Sequence, residues 1–405
     1  MVTSKERNTC TGCTACVNVC PKNCITMDYD EQGFLYPHID QRLCIECGAC
    51  DKVCEQAARS VAKTSQLKGF GVVAKNKELQ SKSSSGGVFT LLCDEVLSRQ
   101  GVVFGVVMAD NNRTAEHRAA TNEDELSPFR GAKYLQSSLG DSFKRVRGLL
   151  DEGKEVLFSG TPCQVDGLKA CIKENDDNLL CVDIVCHGVP SPMIWRKYCD
   201  EIEGAYRGGI STVNFRHKKY SWEKPHVDCN ENCTVVFRSK TEDPYMRLFL
   251  QDYTLRPSCY ECQHKGMNRK SDITIADFWG VDKIIPGFSN GAGTSLVIIH
   301  TEKGSKYFEA IMDKVQVQET DVKKALEFNG AALRSARKPE RLEEFWKDIV
   351  SAKVEKLADK YAPGKDELKS KIKQTPLYGF LKKGKKVNME NGICFVINRN
   401  IYKKK

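Results

Sequence analysis

Cysteines near the start of the chain have the spacing for iron–sulfur chemistry. Two runs each follow the pattern C-x2-C-x2-C-x3-C, and they consist of Cys10, Cys13, Cys16 and Cys20, then Cys44, Cys47, Cys50 and Cys54. Such a pair of runs holds two [4Fe-4S] clusters, because three thiolates surround one cubane and the fourth binds the other cluster. The spacing predicts one cluster on Cys10, Cys13, Cys16 and Cys54, and a second on Cys20, Cys44, Cys47 and Cys50.

Zinc and disulfide bonds are the alternatives for these cysteines. Zinc sites usually have two C-x2-C pairs and a longer loop between them, which differs from two triplets that each have a trailing Cys. Many of the twenty cysteines stand at cluster spacing, which favours a reducing cytosol over an oxidising compartment. We therefore expect residues 1–62 to form a bacterial-type two-cluster ferredoxin module with short strands at Ile25–Tyr29 and Leu35–Ile39.

Length and composition limit the remaining possibilities. The chain has 405 residues, of which 40% are apolar and 28% charged, which is typical of a soluble globular protein of two or three domains. No run of eighteen apolar residues predicts a transmembrane segment, and residues 1–9 have no apolar segment of a secretory signal. We expect a cytoplasmic protein.

The positive charge is concentrated at the end of the chain. Residues 365–405 contain 12 Lys and Arg against 3 Asp and Glu, a net charge of +9 that equals the net charge of the whole chain. This basic tail could contact an acidic protein or an anionic surface, or it could be a solvated end. No other feature favours nucleic-acid binding.

The elements after the module alternate between strands and helices. A strand at Phe70–Lys75 leads to the loop 81–87, which is rich in Ser and Gly, and to a helix that starts near Val88. Backbone N–H groups at such a helix start favour anions, as in a cradle for the pyrophosphate of a dinucleotide. The other interpretation is a Ser N-cap with flexible Gly, and no G-x-G-x-x-G fingerprint is present.

A βαβ pattern follows and indicates parallel strands. The strand Glu155–Phe158 ends in the turn Ser159–Gln164, a helix follows, and the strand Leu180–Val185 ends in Cys186 and His187. Sites of α/β sheets lie at such strand ends. Residues 210–240 alternate as β-structure, and residues 303–350 are predicted to be mainly helical. The predicted fold class is α+β or α/β, with a mixed α/β domain after the ferredoxin module.

Several later motifs resemble one family, the beta subunits of coenzyme F420 hydrogenase and dehydrogenase. The motifs are Ser83-Ser-Ser-Gly-Gly87, Gly160-Thr-Pro-Cys-Gln164, Cys186-His-Gly-Val-Pro-Ser-Pro192, Leu255-Arg-Pro-Ser-Cys-Tyr-Glu-Cys262 and Ser271-Asp-Ile-Thr-Ile-Ala-Asp-Phe-Trp-Gly280. The resemblance covers about residues 1–345 and implies an FAD-binding domain over residues 70–350, in sub-regions 70–150 and 151–350. Residues 351–405 would be a helical and basic tail.

The resemblance also implies which residues lie near FAD. They are Ser84, Ser85, Gly86, Gly87, Lys133, Tyr134, Gln136, Ser137, Ser159, Gly160, Thr161, Pro162 and Gln164. Lys133 would neutralise a phosphate or the anion of the reduced flavin. His187 is a candidate catalytic proton donor, although a structural histidine fits as well.

Further cysteines suggest a third [4Fe-4S] cluster. Cys259 and Cys262 form an additional C-x2-C pair, and Cys163 and Cys186 could supply the other two ligands. The rival interpretation is a zinc or cluster site made of Cys229, Cys233, Cys259 and Cys262. The sequence leaves both open.

These features predict an iron–sulfur flavoprotein oxidoreductase. Its clusters would exchange single electrons with a ferredoxin or another redox protein, and its FAD would reduce or oxidise a small-molecule two-electron substrate. Two alternatives are an electron-transfer subunit of a larger redox complex and a non-catalytic iron–sulfur assembly or sensor protein.

Overall fold

The computed structural model describes residues 7–58, 67–172, 177–206, 209–218, 226–231 and 234–364. Its strands are β1 (Ile25–Tyr29), β2 (Leu35–Ile39), β3 (Lys68–Ala74), β4 (Val102–Ala109), β5 (Thr114–Ala120), β6 (Ser137–Ser138), β7 (Val156–Gly160), β8 (Leu179–Ile184), β9 (Ile210–His217), β10 (His226–Glu231), β11 (Thr234–Ser239), β12 (Ile273–Asp277), β13 (Ser295–Ile299) and β14 (Val315–Thr320). Its helices are α1 (Ala15–Val19), α2 (Ala49–Ala58), α3 (Lys77–Lys82), α4 (Val88–Ser98), α5 (Ser142–Asp151), α6 (Pro162–Cys171), α7 (Pro192–Tyr206), α8 (Pro244–Leu250), α9 (Val281–Ile284), α10 (Glu302–Glu309), α11 (Val322–Glu327), α12 (Leu342–Asp348) and α13 (Val354–Tyr361).

The N-terminal module consists of a hairpin and two short helices. Strands β1 and β2 pair antiparallel with the predicted bounds, from Ile25 opposite Ile39 to Tyr29 opposite Leu35. Helices α1 and α2 carry cluster cysteines, and both pack on α6 of the larger domain through a shared apolar core. Ala15 and Val53 are buried there against side chains of α5 and α6. The module is therefore joined to the larger domain by packing as well as by the chain.

The larger domain is built on a mixed nine-stranded sheet. The strand order is β14-β3-β13-β12-β8-β7-β4-β5-β6. Strands β4, β7, β8 and β12 are parallel, and antiparallel neighbours flank them on both sides. The predicted βαβ unit is present as β7, α6 and β8. Parallel strands end at one edge of a sheet, so the turns after β7 and β8 lie side by side.

The structure differs from the sequence prediction in two places. Residues 303–350 contain the helices α10, α11 and α12, as predicted, but they also include the strand β14, which pairs antiparallel with β3. The alternation of Val315 and Val317 with glutamines is the two-residue period of a half-buried strand. In addition, α13 contributes Val354, Leu357 and Tyr361 to the core that contains α7 and α8. The packed body thus extends beyond the predicted boundary at residue 350.

A second, three-stranded sheet has the order β11-β10-β9. Strands β10 and β11 form the predicted hairpin, with Glu231 opposite Thr234. The side chains of Cys229 and Cys233 lie outside the described residues, as does the basic tail 365–405. Within the described ranges, none of the helices has both the length and the apolar character that crossing a membrane requires.

Candidate functional site

The first group of predicted cluster cysteines lies against the larger domain, with Cys16 buried and Cys10, Cys13 and Cys54 partly buried. The thiols of Cys10, Cys13 and Cys54 act electrostatically on that of Cys16, so the four side chains are neighbours. Burial, and to a smaller extent the charges of Cys10 and Cys54, raises the pKa of the Cys13 thiol to about 11. Two loop residues before α1 have a positive φ, Gly12 at 70° and Thr14 at 58°. This local backbone turns the thiols inward.

The second group lies at the surface of the module. Cys20, Cys44, Cys47 and Cys50 line one cavity of about 240 Å³, and Cys47 is exposed. Cys24 is buried, with its Sγ 3.4 Å from that of Cys20. A cluster held by this group would be accessible to a partner protein at the exposed Cys47, whereas no thiol of the first group is exposed.

The third group comes together from three separated parts of the chain. Cys163, Cys186, Cys259 and Cys262 line a small cavity of about 30 Å³. Cys163 is the second residue of α6, where the helix dipole favours a thiolate. The other three meet because the segment after Cys186 runs antiparallel to the segment before Cys259, with a bridge between Pro190 and Leu255. The backbone N–H of Val189 donates to Cys259 Sγ over 3.4 Å.

Three cationic side chains line the same small cavity. They are Arg256, Lys265 and Arg269. Lys265 Nζ donates to the carbonyl oxygens of Cys186 and Ala331 over 2.5 and 2.8 Å. Burial, and then the charges of neighbouring thiols, raises the pKa of the Cys259 thiol to about 12. Metal coordination would be needed to keep such a thiol deprotonated, and the nearby cations would offset the charge.

The third group has the number of thiols that one [4Fe-4S] cluster needs. A cubane contacts each thiolate through a different iron atom, so its four ligands surround it instead of converging on one ion. Cys163, Cys186, Cys259 and Cys262, which line one cavity, are the residues that could hold such a cluster.

A cleft of about 590 Å³ lies at the carboxyl ends of β7 and β8. Most residues expected near FAD line it, namely Ser84, Ser85, Gly87, Lys133, Tyr134, Ser137, Ser159, Gly160, Thr161 and Gln164. The segment from Cys186 to Val189 lines both this cleft and the small cysteine-lined cavity. One stretch of backbone thus separates the third thiol group from the cleft.

Three residues expected at the flavin lie elsewhere. Gln136 faces the module, where its Nε2 donates to the carbonyl of Thr11 over 3.1 Å. Pro162 lines the small cysteine-lined cavity and not the cleft. Gly86 lies beneath the loop, where a Cβ would come within 2.2 Å of the carbonyl oxygen of Val72. Sequence motifs indicated the neighbourhood of these residues but not the direction in which they face.

The Ser and Gly loop presents the start of α4 to the cleft. The N-cap is Gly87, with φ of 96° and no side-chain cap, so the interpretation as a Ser N-cap is wrong. The serine hydroxyls are used for other contacts: Ser84 Oγ accepts from the backbone N–H of Ala132, and Ser85 Oγ donates to the carbonyl of Thr294. These bonds fix the loop and leave the first N–H groups of an eleven-residue helix for an anion.

Lys133 does not offer its charge to the cleft as expected. Its Nζ donates to the carbonyl oxygens of Pro128, Phe129 and Arg130, each over 2.9 Å. An ammonium group has three donors, and all three are used within its own loop. Burial lowers the pKa of Lys133 to about 7. Lys133 therefore stabilises the loop, and the expectation that it neutralises a bound phosphate is not supported by this geometry.

Arg216 is a cationic residue of the cleft that the sequence analysis did not identify. It lies on β9 with only 7% of its surface exposed, and its Nη1 donates to Asp277 Oδ2 over 2.6 Å. Burial lowers its pKa, but the charges of Asp277 and Tyr134 outweigh burial and leave the pKa raised. Its guanidinium carbon is 5.2 Å from the centre of the Trp279 ring. In the sequence, the available signal was an arginine within a segment that alternates as a strand. Its partner Asp277 belongs to a distant motif, and only the fold brings the two together.

His187 lies in the cleft with a fixed orientation. Its Nε2 is 2.6 Å from Asp252 Oδ1, and its ring meets Phe249 edge to face at 5.2 Å. Asp252 also accepts from the backbone N–H of Arg337. A carboxylate at Nε2 selects the tautomer of a histidine and leaves Nδ1 for another partner.

Sequence comparisons identify the modules. Residues 9–58 match a 4Fe-4S dicluster domain. Residues 70–144 match the N-terminal part, and residues 153–325 the C-terminal part, of the coenzyme F420 hydrogenase/dehydrogenase beta subunit. With the cysteine groups above, these matches define an iron–sulfur protein of electron-transfer type. The chain belongs to the coenzyme F420 hydrogenase/dehydrogenase beta-subunit family, because the two parts of that subunit together match more than half of its residues. The dicluster module precedes them in the same chain.

Individual relatives are distant. A subunit of the F(420)H(2) dehydrogenase of Methanosarcina mazei is 22% identical over 350 residues, which cover 82% of this chain and 90% of that protein. An uncharacterized protein of Methanocaldococcus jannaschii is 25% identical over 209 residues, which cover 43% of this chain and 56% of that protein. A chain of the F420-reducing [NiFe] hydrogenase complex from Methanosarcina barkeri is 14% identical with a TM-score of 0.45, covering 74% of this chain and 93% of that one.

Proposed function

We propose that this chain is an iron–sulfur flavoprotein oxidoreductase that exchanges single electrons with a ferredoxin or another redox protein and two electrons with a small-molecule substrate at FAD. The observation that carries the proposal is the spatial order of the sites. The thiol group that includes the exposed Cys47 is followed by the group that packs on the larger domain, then by the third thiol group, and then by the cleft. The position of Thr11 supports this order, because this neighbour of Cys10 lines the third cavity.

The donor sets fit [4Fe-4S] clusters. Each of the three groups offers four thiols and no competing carboxylate among the residues named, which is the ligand chemistry such clusters take. In this proposal, Cys10, Cys13, Cys16 and Cys54 hold one cluster, Cys20, Cys44, Cys47 and Cys50 the second, and Cys163, Cys186, Cys259 and Cys262 the third. The rival set includes Cys229 and Cys233, whose side chains lie outside the described residues.

The cleft fits a dinucleotide flavin. Its volume of about 590 Å³ is within the range of cofactor pockets, and the start of α4 supplies backbone N–H groups for a pyrophosphate. Gly86 allows the loop to lie directly on β3, since a Cβ would meet Val72 O. When bound, the clusters would supply one-electron steps and the flavin would connect them to two-electron chemistry.

The chain's own residues have three roles in this proposal. Thr161, whose Oγ1 is 3.2 Å from Cys163 Sγ, and the N–H of Val189 give hydrogen bonds to ligand sulfurs, which tune a cluster's potential. Asp252 orients His187 by accepting from its Nε2–H, so that Nδ1 can take up a proton from a molecule in the cleft and, in the imidazolium state, return it. Phe249 packs edge to face against His187 and helps to fix the orientation of its ring.

Anaerobic purification followed by iron, sulfide and flavin analysis tests the proposal. We expect about twelve irons per chain, because a cubane contains four, together with one FAD. Eight irons with FAD would remove the third cluster and keep the flavoprotein. No flavin after reconstitution would refute the flavoprotein assignment and favour the assembly or sensor alternative.

Variants of single cysteines test the third cluster separately. Cys163→Ala and Cys259→Ala should each lower the iron content to about eight per chain. Cys199→Ala is the matched control, because Cys199 is a fully buried thiol that does not line the small cysteine-lined cavity and should leave the iron content unchanged. Unchanged iron in both cluster variants would refute the third site.

A second candidate function is an electron-transfer subunit of a larger redox complex. One relative is named as a subunit of a dehydrogenase. Anaerobic purification from the native host distinguishes the two functions. A stable large partner, together with no substrate turnover by the isolated chain, would favour the subunit.

A further inference from the structure

The guanidinium of Arg216 has one edge without a partner. Its Nη1 is used by Asp277 at 2.6 Å and lies 3.4 Å from the hydroxyl of Tyr134. Its Nε and Nη2 are buried, and neither has a hydrogen-bond acceptor among the described residues. The side chain is 6% exposed and lines the cleft. Buried N–H donors that lack acceptors are destabilising, so the position of these two nitrogens calls for a ligand.

The two unpartnered nitrogens form a fork. Nε and Nη2 lie on the same edge of the planar guanidinium, and their N–H bonds are nearly parallel, which matches the two oxygens of a carboxylate or phosphate. Asp277 keeps the opposite side occupied and fixes the plane. A second cation, Lys240, also lines the cleft, and its Nζ lies 5.4 Å from the centre of the Trp279 ring. The guanidinium carbon of Arg216 lies 5.2 Å from the centre of the same ring, so the indole of Trp279 is next to the fork.

We propose that Arg216 is the substrate-anion site of the cleft, which binds a carboxylate or phosphate of the two-electron substrate through Nε and Nη2. This inference rests on the proposed function and adds the chemical class of the substrate, a small organic anion with a planar group beside Trp279. The cleft contains a separate anion-binding element at the start of α4, which can serve the pyrophosphate of the flavin. Arg216 is then left for a second anionic molecule.

The experiment uses the full chain, purified anaerobically with its cofactors, and isothermal titration calorimetry. The probes are benzoate and phenyl phosphate, with benzamide as an uncharged analogue of benzoate. We expect one benzoate per chain and no binding of benzamide. Arg216→Lys keeps a positive charge but loses the fork, and should weaken benzoate binding about 10- to 100-fold at unchanged flavin content.

The control is Arg113→Lys. Arg113 forms ion pairs with Asp200 and Glu203 and does not line the cleft, so the substitution should leave benzoate affinity unchanged. Equal affinity of wild type and Arg216→Lys would overturn the proposal. Loss of flavin from Arg216→Lys, with unchanged benzoate affinity in the chains that keep it, would assign the fork to the flavin phosphate and also overturn it.

Two further outcomes remain decisive. If wild type holds no flavin, the proposed function fails, but the same titrations of the flavin-free chain still test the fork by itself. If Arg216→Lys does not fold, the wild-type comparison decides: binding of both benzoate and benzamide, or of none of the three probes, overturns the anion site.

Discussion

Arg256 joins the ferredoxin module to the larger domain, and its replacement should release the module. The residue has no exposed surface. Its Nε donates to the carbonyl of Cys10 over 2.7 Å, and its Nη2 donates to the carbonyl of Leu35 over 2.9 Å. Its Nη1 donates to Gln136 Oε1 over 3.1 Å, and the guanidinium carbon lies 4.2 Å from the centre of the Tyr36 ring.

The magnitude follows from these contacts. A hydrogen bond from a charged donor contributes about 1.5–3 kcal/mol, and loss of one partner leaves buried carbonyls without a donor. The contributions of three such bonds do not add up in full. We therefore expect Arg256→Gln to reduce the free energy that holds the module on the larger domain by about 4 kcal/mol, which is in the range for disrupting a buried charged contact. This corresponds to a local opening equilibrium about a thousandfold larger.

Amide hydrogen exchange of anaerobic, reconstituted protein with matched iron content measures this opening. Amides around Cys10 and Leu35 should exchange about a thousandfold faster in Arg256→Gln. The matched control is Arg247→Gln, because Arg247 donates to the carbonyls of Ala358 and Ala362 and holds α13 instead. It should accelerate exchange in α13 and not in the module. Less than a threefold change around Cys10 in Arg256→Gln would refute the reasoning.

Two other predictions concern stability. Burial lowers the pKa of His117 to about 4, below the unfolded value of about 6.5, so its stabilisation is complete above pH 6.5 and is lost as the pH falls towards 4. When the pH falls from about 7.5 to 5.5, the unfolding free energy measured with denaturant should decrease by about 1.4 kcal/mol more in wild type than in His117→Leu. The exposed His38 is the control position. Equal decreases in wild type and His117→Leu would contradict this prediction. In the same assay, Gly86→Ala should lower the unfolding free energy of the protein by about 3 kcal/mol, because the new Cβ would overlap the carbonyl oxygen of Val72. Gly148→Ala in α5 should raise it by about 1 kcal/mol, because a Cβ there has no atom within 4 Å. An unchanged unfolding free energy in Gly86→Ala would show that the loop can shift.

Local patterns could be predicted from the sequence because they depend on short-range chemistry. The strands β1 and β2 have the predicted bounds, and the cysteine spacing of the module fixes which thiols lie near one another. The βαβ unit around α6 follows from the alternation of apolar runs and small-residue turns. In each case the residues that determine the structure lie within about one βαβ unit of one another.

Long-range assembly could not be predicted in the same way. Cys163 and Cys259 meet only because the segment after β8 pairs with the segment before Cys259, and nothing in the local sequence fixes that pairing. The sequence left two ligand sets open, the one with Cys163 and Cys186 and its rival with Cys229 and Cys233. β14 was missed because its two valines fit either a helix or a strand until the pairing with β3 is known.

The cations of the site show why residue type alone gives an incomplete account of binding. Lys133 lines the cleft and Lys218 contacts the Ser and Gly loop, but each places Nζ within 3 Å of three carbonyl oxygens. Their charges are used to hold backbone in place, so a count of cations overestimates what the cleft can offer a ligand. Arg216 differs because Asp277 occupies one side of its guanidinium and no acceptor among the described residues occupies the other. The affinity of the cleft for an anion should therefore depend on which N–H donors lack acceptors, and this can be established only from hydrogen bonds in the folded chain.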